Sequence, residues 1–163
     1  SGSLDSAVGG PSVPIHLTEF MAGRGRPGKS GPLDGENRRS LYLSVRRNFA
    51  DPMLAAFDRP VPTTTVGRRN QSNVPAQALI LMNDPFVHEM SQRWAKRILT
   101  EKTLGDDSAR LRRMVIEAFG RIPQPAEFAA LLTFLKSGSL DRETLWSDVA
   151  HALFNAKAST HLE

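Results

Sequence analysis

Four prolines punctuate this chain where helices have to begin. Pro52 follows Asp51, Pro75 follows Asn73-Val74, Pro85 follows Asp84, and Pro125 follows Gln124. A proline at the first helical position gives up an N–H that would have no intrahelical partner, and a neighbouring Asp or Asn can cap the amides left free. The spacing predicts a short helix from Pro52 to about Phe57, a second through the apolar run that ends at Met82, and a longer one from Pro85 to about Thr100. Asn83-Asp84 then becomes a sharp junction between two helices.

The C-terminal part carries apolar residues at helical spacing. Leu111, Met114, Val115, Ala118 and Phe119 form one stripe, with Asp107 or Ser108 as the expected cap and Gly120 as the stop. Phe128, Leu131, Leu132 and Leu135 form a second after Pro125, ended by Gly138. Leu145, Trp146, Val149, Ala152 and Leu153 form a third, starting from Asp141. Connections this short make the three antiparallel neighbours, and Phe86, Met90, Trp94 and Ile98 of the Pro85 helix supply a fourth wall. Trp94 and Trp146 fall on apolar faces and read as core.

Ahead of the helices the pattern changes. Residues 1–37 hold eight of the twelve glycines and four of the eleven prolines, a composition that sustains neither helix nor strand. Only Ile15 to Met21 is apolar enough to be pinned to a core. Leu41, Leu43 and Val45 alternate with Tyr42, Ser44 and Arg46, which predicts one half-buried strand pairing with the Ile15 region or with Val61–Val66. The expected fold is therefore mainly α: a small bundle of five or six helices, an extended Gly/Pro-rich N-terminal wrap, and at most one short β-strand pair. Segments 1–37, 38–84 and 85–157 divide it as extended wrap, central motif region and bundle, within a single structural domain.

The totals exclude several classes of function. The 163 residues contain no Cys, which removes disulfides, thiol catalysis, Cys-ligated zinc and covalent c-type haem. No run approaches the roughly 20 apolar residues that a membrane helix requires, so membrane insertion is not expected. The net charge of +4 is uneven: residues 24–69 hold ten Lys/Arg against four Asp/Glu, and the remainder is slightly acidic. Either an anion-facing surface lies there or the guanidiniums staple an irregular fold by pairing with carboxylates and carbonyls.

The strings RRSLYLSVRRNF, TTVGRRN, VPAQAL, LMNDPFV and WSDVAHALFNAK stand in this order along the chain. Together they resemble the C-terminal half of a planctomycete family, the domain of unknown function 1553. The likeness extends from about Leu4 to Lys157 and breaks down over Ala158–Glu163. It implies a domain that follows cytochrome-c-like and other family-specific modules in large exported chains, so an extracytoplasmic location is expected. It attaches no reaction to the chain.

The candidate chemistry narrows to arginine. Gly23–Ser30 satisfies the phosphate-loop pattern G-x-x-x-x-G-K-[ST], but Gly31-Pro32-Leu33-Asp34-Gly35 cannot open the helix that the motif needs, and Pro27 removes an amide from the cradle. The four histidines lack paired metal-ligand spacing. Asp58, Asp84 and Glu89 are the carboxylates that could form a pair. Arg38-Arg39, Arg46-Arg47 and Arg68-Arg69 remain, with one member of each pair expected to be structural and the other free. On the predicted strand Arg46 points away from the core and Arg47 towards it. Gly67-Arg68-Arg69-Asn70 sits in a polar loop before a helix start.

The leading expectation is a non-catalytic helical module that packs against, or binds, other domains of its parent chain. The alternative is a binding or enzymatic domain for an anionic small molecule or acidic or sulfated saccharide, held by Arg46, Arg68, Arg69 and Asn70. No cofactor is expected. Nucleic-acid binding is disfavoured because Asp34, Glu36, Asp51 and Asp58 interrupt the basic stretch.

Overall fold

Aspartates open the helices as the sequence implies. In the computed structural model, which describes residues 1–60, 74–136 and 140–156, Asp51 Oδ1 accepts the Leu54 N–H at 3.0 Å and Asp84 Oδ1 accepts that of Phe86 at 2.8 Å. Asp106 and Asp141 cap two further helices by accepting from Ala109 and Thr144. The helices are α1 (Pro52–Ala56), α2 (Val74–Asn83), α3 (Pro85–Thr100), α4 (Asp107–Phe119), α5 (Pro125–Lys136) and α6 (Arg142–Asn155), with 3₁₀ turns at Gly35–Asn37 and Ser40–Tyr42. The fold is thus mainly helical, as expected. The α4 cap is Asp106, one residue earlier than the sequence implied, and Gly120 ends that helix at φ 64°, where glycine carries no Cβ penalty. The expected stop at Gly138 lies outside the described residues.

The chain forms two compact units, Ser3–Ile80 and Leu81–Glu163 together with Ser1–Gly2. In the second, α3 packs chiefly on α6, and α4 on α5. Its core joins Trp94, Ala95 and Ile98 of α3, Leu111, Met114 and Val115 of α4, and Trp146, Val149, Ala150 and Leu153 of α6. The Trp94 and Phe154 rings meet at 5.4 Å between centroids. Ser91, a polar residue buried in this unit, donates its hydroxyl to the Val87 carbonyl at 2.8 Å, which removes the cost of burying it.

The first unit has a smaller core, Ile15, Leu17 and Phe49, with Met21 and Leu43 against it. Its Gly/Pro-rich segment is extended and held by single, scattered bonds. The half-buried strand expected over Leu41–Val45 does not form. Residues Ser40–Tyr42 make a 3₁₀ turn, and Leu41 and Val45 are 81% and 60% exposed. Leu43 alone pairs, in an isolated parallel bridge with Val13. The Val13 N–H donates to the Tyr42 carbonyl at 2.9 Å, and Ser44 N–H to that of Val13 at 2.8 Å. The ladder stops there because the Ile15 carbonyl accepts from Gly31 N–H instead, at 2.8 Å, while the Arg46 carbonyl bends into a turn.

Candidate functional site: an arginine-lined cleft

Three local devices build a cleft in the first unit. Phe49 N–H donates to the Arg46 carbonyl at 3.2 Å, closing a turn that drops Phe49 into the core and leaves Arg46 and Arg47 exposed. Helix α1 then ends in a Schellman motif. Arg59 N–H reaches the Leu54 carbonyl at 2.9 Å and Asp58 N–H that of Ala55 at 3.2 Å, with Asp58 in the left-handed region at φ 59°. This reversal returns Arg59 to the same cleft. The third device is the clamp on Ile15, whose carbonyl accepts from Gly31.

The resulting cleft measures about 70 Å³. Buried Ile15 and Phe49 form its base, and the more exposed Val45, Ala50, Ala55 and Pro60 give it apolar walls. Arg46, Arg47 and Arg59 line it as well, with Ser44 as the one hydroxyl. None of these three arginine side chains bonds to another group among the described residues, and the nearby Asp51 carboxylate is occupied as the α1 cap. An unpaired guanidinium fork presents donors matched to a carboxylate, sulfate or phosphate.

Residues 1–135 match the family described as Protein of unknown function (DUF1553). The chain belongs to that family. No curated protein and no solved structure matches it.

The cleft of this DUF1553 member contains one of the residues singled out from the sequence, Arg46. Arg68, Arg69 and Asn70 lie outside the described residues. Arg47 was expected to point inward; it does not, because the chain turns at this point instead of continuing as a strand. Arg59 carries no local signal in the sequence, being a single arginine that only the chain reversal at Asp58 brings to the site. The Arg38-Arg39 pair divides as expected. Arg38 donates to the carbonyls of Pro11 at 3.3 Å, Ala7 at 3.2 Å and Gly9 at 2.5 Å, and lies 4.0 Å over the Tyr42 ring, whereas Arg39 is exposed and makes no side-chain bond among the described residues.

The phosphate-loop string serves as structural support. Ser30 Oγ accepts the Leu17 N–H at 2.8 Å, and no helix follows at Gly31–Asp34. Gly31 approaches Pro14 so closely that a Cβ would stand 1.9 Å from the Pro14 carbonyl oxygen. The two other candidate carboxylates outside this unit are engaged, Asp84 as the α3 cap and Glu89 with Arg93 at 2.5 Å.

Two further polar constellations lie in the second unit. Glu117 accepts from Trp94 Nε1 at 2.9 Å, from Arg97 Nη2 at 2.5 Å and from Arg113 Nε at 2.7 Å. Burial on its own would raise the Glu117 pKa; those donors outweigh it and hold the carboxyl down at about 2. His88 and His151, 63 positions apart in the numbering, bring their rings to 4.2 Å between centroids. The histidine pair had no local signal, because it joins α3 to α6, and of the Glu117 cluster only the Arg113–Glu117 pair, four residues apart on α4, follows from local spacing. Among the described residues no three His, Asp or Glu side chains are grouped to hold a metal.

Proposed function

We propose that this chain is a non-catalytic binding module of a larger exported, cytochrome-associated protein, and that it receives an anionic group in the cleft between Ser44 and Pro60. The observation that carries the reading is the gathering of Arg46, Arg47 and Arg59 around one concavity with no carboxylate partner among the described residues. Unpaired arginines on a scattered surface would be ordinary solvated charges; three around an apolar base are suited to capture an anion. Binding is favoured over chemistry because the lining offers a single hydroxyl, Ser44, and no His, Asp or Glu to activate it. The anion itself comes from a small molecule or from another domain of the parent chain.

A thermal-shift series with sulfate, phosphate and carboxylates tests the reading. A saturable rise of a few degrees, lost in Arg46→Ala/Arg59→Ala, supports it. Equal shifts in wild type and double variant point to binding elsewhere.

Domain packing is the second reading, favoured by α5. Its outer face exposes Ala126, Ala129, Ala130, Thr133 and Phe134, and Ile122 just before it is 71% exposed. Failure of every anion, with protection of this face in the longer parent chain, would favour packing.

A further inference from the structure

We infer that the ligand of the cleft is a small amphiphilic monocarboxylate, a branched chain of four or five carbons carrying one carboxylate. This rests on the anion reading above and adds the chemistry of the rest of the ligand. Ile15 and Phe49 at the base, and Val45, Ala50, Ala55 and Pro60 on the walls, offer no hydrogen bond from their side chains. A fully hydrated sulfate or phosphate placed there would lose water to apolar carbon and recover side-chain donors only from the arginines and the Ser44 hydroxyl. An apolar body, by contrast, gains from displacing water off that surface.

Size points the same way. At about 30 Å³ for each water, a cleft of about 70 Å³ encloses about two water-sized groups, enough for the branched end of an aliphatic chain whose remainder lies at the open mouth. That suits a branched aliphatic body and not a whole sugar ring with its hydroxyls. The charge requirement is met by guanidinium, which is weakly hydrated and binds a carboxylate through two parallel N–H donors. The body sits against Phe49 and Ala55, and the carboxylate faces Arg46, Arg47 and Arg59.

Calorimetry and ligand-observed NMR on the full 163-residue chain test this with 4-methylpentanoate, its neutral amide and inorganic phosphate. The acid is expected to bind saturably, about tenfold or more tighter than either comparator, a difference of about 1.4 kcal/mol. Arg46→Gln/Arg59→Gln should abolish acid binding. Ala55→Leu, which fills the wall of an exposed helix position and leaves the charges intact, should remove the acid and spare any weak phosphate binding. Phosphate binding as tight as the acid, or Ala55→Leu without effect on the acid, overturns the amphiphile and leaves the anion site standing. If the amide binds as well as the acid, or no anion binds, both readings fall.

Discussion

The His151 ring on α6 holds the carbonyl of Leu81 at the end of α2, 70 residues away in sequence, with Nε2 and the oxygen 3.1 Å apart. Asn155, one helical turn further along α6, donates to the same oxygen at 3.4 Å and to the His151 carbonyl at 2.9 Å. The last carbonyls of a helix have no intrahelical partner, and two side chains at i,i+4 on α6 supply one here. This ties the string LMNDPFV to WSDVAHALFNAK by a physical contact.

His151→Ala should therefore destabilise the Leu81–Glu163 unit by about 1–2 kcal/mol, the cost of leaving a partly buried acceptor short of a donor. Asn155→Ala should cost less, and the double variant more than the sum, because either side chain alone still gives the shared oxygen a donor and only the double variant leaves it with neither. Denaturant unfolding of the four proteins in the cycle measures this.

Glu117 makes stability fall in acid. Its carboxyl sits at about 2 when folded against an ordinary 4.5. A depressed carboxylate contributes its full stabilisation above the unfolded value and loses it as the pH drops through 4.5 towards about 2. With a side chain 23% exposed, the contribution is about 2–3 kcal/mol, somewhat under the full conversion of the shift. Unfolding curves of wild type and Glu117→Gln should differ by that amount near neutrality and converge at the acid end. A constant gap at every pH would contradict the assignment.

Gly31→Ala tests the support of the cleft. The added carbon would overlap a backbone oxygen, which cannot rotate aside as a side chain can. We expect a loss of about 2–4 kcal/mol, above the usual range for overpacking because backbone must move. Gly28→Ala, which meets nothing within 4 Å, should change stability by no more than about 0.5 kcal/mol.

The Arg38-Arg39 pair gives a parallel contrast. Arg38→Ala removes donors to three carbonyls and a contact with Tyr42, and should cost about 1–3 kcal/mol. Arg39→Ala should fall within about 0.5 kcal/mol of wild type. Thermal melts of the two single variants suffice to check it.

The helices were legible in the sequence because capping is local chemistry. Asp51, Asp84 and Asp141 each act within three residues of themselves, so their helices could be placed from short strings. The 3.6-residue stripes likewise identified Trp94, Leu111, Met114 and Trp146 as core. Residues 41–45 misled because alternation records which side chains are apolar and not whether backbone partners exist. Val13 supplies a single rung, and Gly31 takes the carbonyl that would have continued the ladder. The cleft was half legible: Arg46 stood out in a basic stretch, whereas Arg59 depended on a left-handed Asp58 that no glycine announced. The pairing of His151 with Leu81 had no local signal at all, since it depends on how α6 meets the end of α2.

Proton–nitrogen correlation spectra of the chain titrated with 4-methylpentanoate test the central claim most directly. Saturable shifts should appear on the amides from Ser44 to Arg59 and on the side-chain N–H groups of Arg46, Arg47 and Arg59, with α4, α5 and α6 unmoved. Shifts that never saturate, or that gather on the bundle helices and leave Arg46 and Arg59 unchanged, would contradict a binding site in the cleft.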